Sequence, residues 1–162
     1  MVWVSEGRLV AVELPQTAGP VADTAAAGAG QSEAAGVSAA DRAALEHWVG
    51  QLEAYFKGER LAWSPEEISL QALALGPFAH AVYVALLSVP AGETVAYGEL
   101  AHMAGYPRAA RAVGNVMAAN PIPVVVPCHR VIRADCSLGN YGDDPTWKGR
   151  LLEHERAEVR TS

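Results

Sequence analysis

The sequence predicts an α/β N-terminal unit, a small sheet plus a helix, followed by a mainly α C-terminal domain with a helix-turn-helix. Three observations predict it. Short apolar runs flank a turn-prone Ser5-Glu6-Gly7, apolar residues recur at helical spacing from Leu45 to Phe56, and Gly105-Tyr106 separates two short helical patterns. With 162 residues, 51% of them hydrophobic, the chain can bury one core or pack a small domain on a larger one.

Val2-Trp3-Val4 and Leu9 to Leu14 read as strands around that turn. From Pro15 to Ala40 the chain is mostly Ala, Gly, Thr and Ser, too poor in large apolar groups to repay ordering entropy, so a mobile linker is expected over 15–40. Ser38, with Asp41 three residues on, resembles a capping box. It opens a helix whose apolar side carries Leu45, Trp48, Val49, Leu52, Tyr55 and Phe56 and which stops at Gly58. Residues 1–66 then form the N-terminal unit, 67–158 the second domain and 159–162 a tail.

In the second domain Pro77 opens a helix with Phe78, Val82, Ala85 and Leu86 on one side, stopped by Pro90-Ala91-Gly92. Tyr97 to Met103 follows as a short helix, and Pro107 to Ala119 as a second one opened by its proline. On that second helix Ala109, Ala112, Val113, Val116 and Met117 share a face, leaving Arg108, Arg111 and Asn115 opposite. Asn120-Pro121-Ile122-Pro123 ends it, and Val124-Val125-Val126 is expected as a buried extended run that delivers Pro127-Cys128-His129-Arg130. A last helix, with Asp144 as N-cap and Pro145 at its first position, runs through Trp147, Leu151, Leu152 and Glu155.

Charge and composition exclude several functions. The longest apolar stretches, around Ala79 to Pro90 and Ile122 to Pro127, fall short of the roughly 18 residues a membrane helix needs. The N-terminus shows no basic leader and apolar run, so an intracellular, cytoplasmic location is expected, nuclear in a eukaryote. Two cysteines build no disulfide framework and read as thiols. A net charge of -6 argues against indiscriminate coating of nucleic acid. Leu100 to Ala134, however, holds no Asp or Glu but contains Arg108, Arg111, Arg130 and Arg133, and any anionic partner is expected there.

Cys128 beside His129 is the sharpest local feature. A thiol becomes a nucleophile only as thiolate, which a neighbouring imidazole can produce; the alternative is a buried cysteine packing as a small hydrophobe. Glu155 lies four and three residues after Leu151 and Leu152, on the core-facing stripe, so its carboxylate needs a partner. That partner is His129, giving a nucleophile, base and orienter set, or Arg130 or Arg133 in a structural ion pair. Arg111 on a polar helix face can enter a groove or remain a solvated arginine. Tyr97 can supply a phenolic proton or be a half-buried structural tyrosine, and Asn120 before proline is first of all a helix terminator.

Taken together, Thr94-Val95-Ala96-Tyr97-Gly98-Glu99-Leu100-Ala101, Ala109-Ala110-Arg111-Ala112-Val113-Gly114, Asn120-Pro121-Ile122-Pro123, Val126-Pro127-Cys128-His129-Arg130-Val131-Ile132, Gly139-Asn140-Tyr141-Gly142 and Leu151-Leu152-Glu153-His154-Glu155 resemble the O6-alkylguanine-DNA alkyltransferases, or methylated-DNA-protein-cysteine methyltransferases. The resemblance runs from about Phe78 to Glu155, and more weakly through the N-terminal unit. It implies a winged-helix-like domain that acts on double-stranded DNA carrying O6-alkylguanine, with O4-alkylthymine as a second candidate, by single-use transfer of the alkyl group to Cys128. It further implies that His129 takes the thiol proton through a bound water, that Glu155 orients the imidazole and that Asn120 completes the set. Tyr97 would help rotate the nucleotide out and protonate the departing guanine, Arg111 would fill the vacated stack, and the recognition helix, with Arg108, Ala112 and Asn115, would sit in the minor groove. Val131, Asn140, Tyr141 and Gly142 would line the base pocket.

The sequence departs from the family pattern at Asp143 and Asp144, where small glycine-rich residues are usual, and at Ala118, where many members carry a basic or polar group. Some relatives bind zinc in the first domain; no Cys precedes position 128 here, so no metal and no cofactor are expected. A monomer without an obligate protein partner is expected, and no membrane association.

Overall fold

The computed structural model of the chain describes residues 1–14, 38–139, 141 and 146–161. Glu6 and Gly7 both take positive φ, 53° and 72°, the two-residue turn whose twist matches flanking strands. Strand β1 (Val2–Ser5) therefore pairs antiparallel with β2 (Arg8–Val12), from Ser5↔Arg8 to Val2↔Val12, with a bulge between Trp3 and Val4.

The first helix, α1 (Ala39–Phe56), is capped as expected at Ser38, whose Oγ accepts the Asp41 N–H at 3.0 Å. Asp41 does not complete a reciprocal box. Its carboxylate accepts the Gly7 N–H at 2.8 Å and the Ser38 hydroxyl at 2.7 Å, which ties the hairpin turn to the start of the helix. Of the linker expected over 15–40, residues 15–37 lie outside the described residues; Ser38 is the cap and Ala39 and Ala40 already belong to α1. The helix buries Trp48, Leu52 and Tyr55, and the chain leaves it through Gly58 at φ 75°.

Two elements between α1 and the next helix escaped the sequence reading. Helix α2 (Pro65–Ile68) has a full capping box between Ser64 and Glu67, and a 3-10 turn at Leu70–Leu73 follows; together they bury Ile68 and Leu70. Residue 66 lies inside α2. Helix α3 (Pro77–Leu87) starts at its proline and buries Val82, Tyr83 and Leu86.

Helix α4 (Tyr97–Met103) begins where Glu99 reaches back to accept the Ala96 N–H at 2.8 Å. Gly105, at φ 85°, turns the chain toward α5 (Ala110–Ala118). This helix starts three residues later than Pro107 suggested. Pro107 and Arg108 lie instead in a turn closed by the Ala109 N–H on Tyr106 O at 3.0 Å, so Arg108 sits on the connection and not on the helix. The expected faces hold otherwise: Val113 and Met117 are buried, Arg111 and Asn115 exposed.

Val124-Val125-Val126 is buried but not extended. Val124 takes φ 74°, and the Val126 N–H returns to Ile122 O at 2.9 Å, so the segment is a tight turn. The side chain of Asn120 fixes it from inside, donating to Val126 O at 3.0 Å and accepting the Ile122 N–H at 3.1 Å. One 3-10 turn, Cys128–Arg130, then leads into β4 (Val131–Ile132), which pairs in parallel with β3 (Val95–Ala96). Helix α6 (Thr146–Thr161) closes the fold and buries Trp147, Leu151 and Leu152; the Asp144 and Pro145 assigned to its start lie outside the described residues.

The architecture among the described residues is two two-stranded sheets and six α-helices around one continuous core, in which Leu9, Trp48 and Tyr55 join Val82, Leu100, Val113 and Leu151. A backbone bond from Val12 N–H to Pro121 O, 2.8 Å long, stitches the N-terminal hairpin to the loop after α5. Among the described residues no helix is long and apolar enough to cross a membrane.

Candidate active site

Lys148, Leu151, Leu152 and Glu155 lie three, four and seven residues apart on α6, a spacing that places all four on its inward stripe. Glu155 is therefore fully buried, where an unpaired carboxylate costs several kcal/mol. Five donors satisfy it. Oε1 accepts from Tyr55 Oη at 2.9 Å, His129 Nε2 at 2.8 Å and Arg130 Nη2 at 2.8 Å; Oε2 accepts from Arg130 Nε at 3.0 Å and Gly92 N at 3.1 Å. Burial acts to raise its pKa, but the hydrogen bonds from His129 and Arg130 and the guanidinium charge outweigh it and hold the carboxyl well below its ordinary range.

Glu155 is thus bonded to His129 and to Arg130 at once, and not to Arg133. Arg130 is itself 1% exposed and spends its other donors on Val89 O at 2.6 Å and Leu61 O at 2.7 Å. It is removed from the basic surface expected over 100–134, which leaves Arg108, Arg111 and Arg133 exposed there.

An ionised carboxylate only accepts, so His129 must carry its proton on Nε2, leaving a lone pair on Nδ1. Nδ1 is buried and has no hydrogen-bond partner among the described residues. Burial lowers the pKa of His129, and the Glu155 bond only partly restores it, so the resting imidazole is neutral.

Cys128 opens the 3-10 turn at the bottom of the site. Its sulfur accepts from Asn120 Nδ2 at 3.0 Å, so Asn120 both ends a helix and holds the thiol. The buried Tyr141 hydroxyl also faces the sulfur and favours its ionised form. Burial pushes the thiol pKa up; Asn120, Tyr141 and the Lys148 charge pull it only part of the way back. At rest Cys128 is a neutral thiol, and a base is needed to ionise it.

Tyr97 caps the site from the start of α4. Its ring lies under Lys148 Nζ, 5.9 Å from the centroid, a cation–π distance. Gly139 lies beside Arg133 and Tyr97, where a Cβ would make ordinary contacts of 3.5 Å to Arg133 Nε and 3.8 Å to Tyr97 Oη, so its φ of 71° and not space favours glycine. Val131 is buried in β4, and Ala112 is half-buried on α5. Asn140 and Gly142 lie outside the described residues.

Sequence reasoning missed Lys148, 1% exposed, although its seven-residue spacing from Glu155 signals it. It also missed Tyr55 and Gly92 as donors to Glu155, 100 and 63 residues away, for which no local signal exists.

Fold and site define a protein that holds a buried thiol, with an imidazole–carboxylate pair behind it, beside a helix pair with an exposed basic face. Residues 77–157 match the family model described as 6-O-methylguanine DNA methyltransferase, DNA binding domain. The chain is 45% identical over 122 residues to the methylated-DNA–protein-cysteine methyltransferase of Mycobacterium leprae, covering 75% of this chain and 72% of that one. The crystal structure of Mycobacterium tuberculosis OGT in complex with DNA superposes with a TM-score of 0.60 at 40% identity, covering 70% of this chain and 68% of that one. The O6-methylguanine-DNA methyltransferase of Pyrococcus kodakaraensis matches over 95% of this chain and 89% of its own, with a TM-score of 0.60 at 27% identity. The chain belongs to the methylated-DNA–protein-cysteine methyltransferase family.

Proposed function

We propose that this chain repairs double-stranded DNA by direct reversal, moving the alkyl group from O6-alkylguanine onto Cys128 once per molecule. The observation that carries the reading is the bond between Glu155 Oε1 and His129 Nε2, 2.8 Å long, which leaves Nδ1 as a base one residue from a neutral buried thiol.

Helices α4 and α5 act as the helix-turn-helix of a winged-helix-like domain, with α5 in the minor groove and Arg108, Arg111, Ala112 and Asn115 toward the duplex. A guanine inside the duplex hides its O6 group, so it must be rotated out at an unstacking cost of a few kcal/mol; Tyr97 aids the rotation and Arg111 fills the gap. Val131, Asn140, Tyr141 and Gly142 line the pocket that receives the base. The Cys128 proton passes through a water to His129 Nδ1, and Glu155 stabilises the imidazolium that forms. The thiolate then attacks the alkyl carbon. A C–S bond forms, the C–O6 bond breaks, its electron pair goes to the guanine, and the Tyr97 hydroxyl supplies the proton that neutralises it. Lys148 favours the charge on the sulfur, and Arg133 the charge on the phenol. The thioether has no base-catalysed way back, hence the single use.

Intact mass after incubation with a duplex holding one O6-methylguanine tests this. The wild type should gain one methyl and Cys128→Ala none. Duplex binding by the wild type without any mass gain would overturn transfer in favour of a module that only senses lesions.

A further inference from the structure

The carboxylate behind the base is held from the far end of the chain. Tyr55, on α1, donates to Glu155 Oε1 at 2.9 Å, the same oxygen that His129 Nε2 reaches at 2.8 Å. We propose that Tyr55 is a positioning residue of the transfer reaction: by sharing Oε1 with His129 it sets how strongly the imidazole takes the Cys128 proton, so that the N-terminal unit completes the active site. The inference rests on the role proposed for His129 and Glu155.

Packing alone explains the Tyr55 ring but not its hydroxyl. The ring is fully buried, stacked on Trp63 at 5.9 Å and 24° and edge-on to Phe56 at 5.3 Å, while its backbone carbonyl is bonded by His154 Nε2 at 2.8 Å. A phenylalanine would keep each of these contacts. The hydroxyl is placed by this cage so that it meets Oε1, and burial together with the Glu155 charge pushes its pKa well above 10.0, so it remains a donor at every working pH.

A donor on Oε1 withdraws charge from that oxygen and weakens its pull on the Nε2 proton. Removing it leaves Oε1 to Arg130 and His129 alone, which strengthens the bond to the imidazole and makes Nδ1 more basic. The other groups facing the pair are the Arg130 guanidinium and Cys128 thiol on the 3-10 turn, Lys148 on α6, the Tyr141 hydroxyl and the Gly92 N–H after α3. Of these, the Tyr141 hydroxyl also senses the Tyr55 hydroxyl electrostatically.

The test uses the full-length protein with isotope-labelled histidine, reading the His129 titration by NMR and the pH profile of methyl transfer. Tyr55→Phe should raise the His129 pKa and the acid limb of the rate profile by about half a pH unit to one pH unit. Fluorinated tyrosine at the same position, a more acidic phenol and a stronger donor, should move both the opposite way. The fluorinated protein also decides the matter if Tyr55→Phe does not fold. A lowered melting temperature with both curves unmoved in both variants would overturn the proposal and leave Tyr55 a packing residue. Failure of the wild type to accept methyl would instead defeat the proposed function, while the His129 titration still reports what the Tyr55 hydroxyl does.

Discussion

The two sides of the candidate site are built on opposite plans. Behind the sulfur, Tyr55, His129, Arg130 and Glu155, each 0–1% exposed, come from three segments and lock one another through four donors on a single carboxylate, with the Gly92 N–H as a fifth. On the side proposed to meet DNA, Arg108, Arg111 and Asn115 are exposed, and none takes part in an ion pair among the described residues. The inner side is organised before any substrate arrives; the outer side acquires its arrangement only from what docks on it.

The contrast breaks most visibly at Glu155. Glu155→Ala leaves the Arg130 guanidinium buried without its counter-charge, a loss of about 3–5 kcal/mol of stability. It also removes the group that fixes the His129 tautomer, and transfer should slow by about 10²–10⁴-fold, the usual weight of a general base. Denaturant unfolding and single-turnover transfer read the two effects separately. A variant as stable as the wild type would mean that the five donors hold nothing together.

Arg111→Ala sharpens the contrast from the other side. Stability should stay within about 0.5 kcal/mol, as for most exposed positions. Repair of a duplex should slow by about 10- to 100-fold, because about 1.4 kcal/mol of uncompensated unstacking is worth a factor of ten. Reaction with free O6-methylguanine base, which has no stack to leave, should be unchanged. Equal slowing on base and duplex would place Arg111 in the chemistry and not in the DNA.

Legibility in the sequence follows the same division. Periodicity located α1, α3, α4 and the inward stripe of α6, because each buries one face and the apolar spacing records it. The start of α5 was misplaced because a proline opens a turn as readily as a helix, and only the Ala109–Tyr106 bond decides between them. Val124 misled for a related reason: a β-branched run promises a strand, and the Asn120 side chain overrides it. Glu155 was legible as a buried carboxylate in want of a partner. That it would hold His129 and Arg130 at once, with Tyr55 from 100 residues away, depends on tertiary packing that no local pattern encodes.

The smallest effect tests whether titration belongs to the inner side alone. His129 and Glu155 both have folded pKa values below their ordinary 6.5 and 4.5, so on acidification the unfolded chain binds protons first and stability falls. Cys128 and Tyr55 lie above their ordinary 9.0 and 10.0, so on the alkaline side the unfolded chain loses protons first and stability falls again. Lys148, lowered from its ordinary 10.5 by burial, works the other way and offsets part of the alkaline loss. Unfolding free energy should therefore change little between about pH 6.5 and 9 and decline on both sides, by about 1.4 kcal/mol for each tenfold difference in proton affinity between the folded and unfolded chain. Cys128→Ala should delay the alkaline decline until the tyrosines begin to ionise. Arg111→Ala should leave the whole curve superposable on the wild type, since its guanidinium is charged throughout and belongs to the outer side. A curve that changes shape with Arg111 would mean that the two sides are electrostatically joined, and the division between a preformed inner site and a substrate-organised outer one would fail.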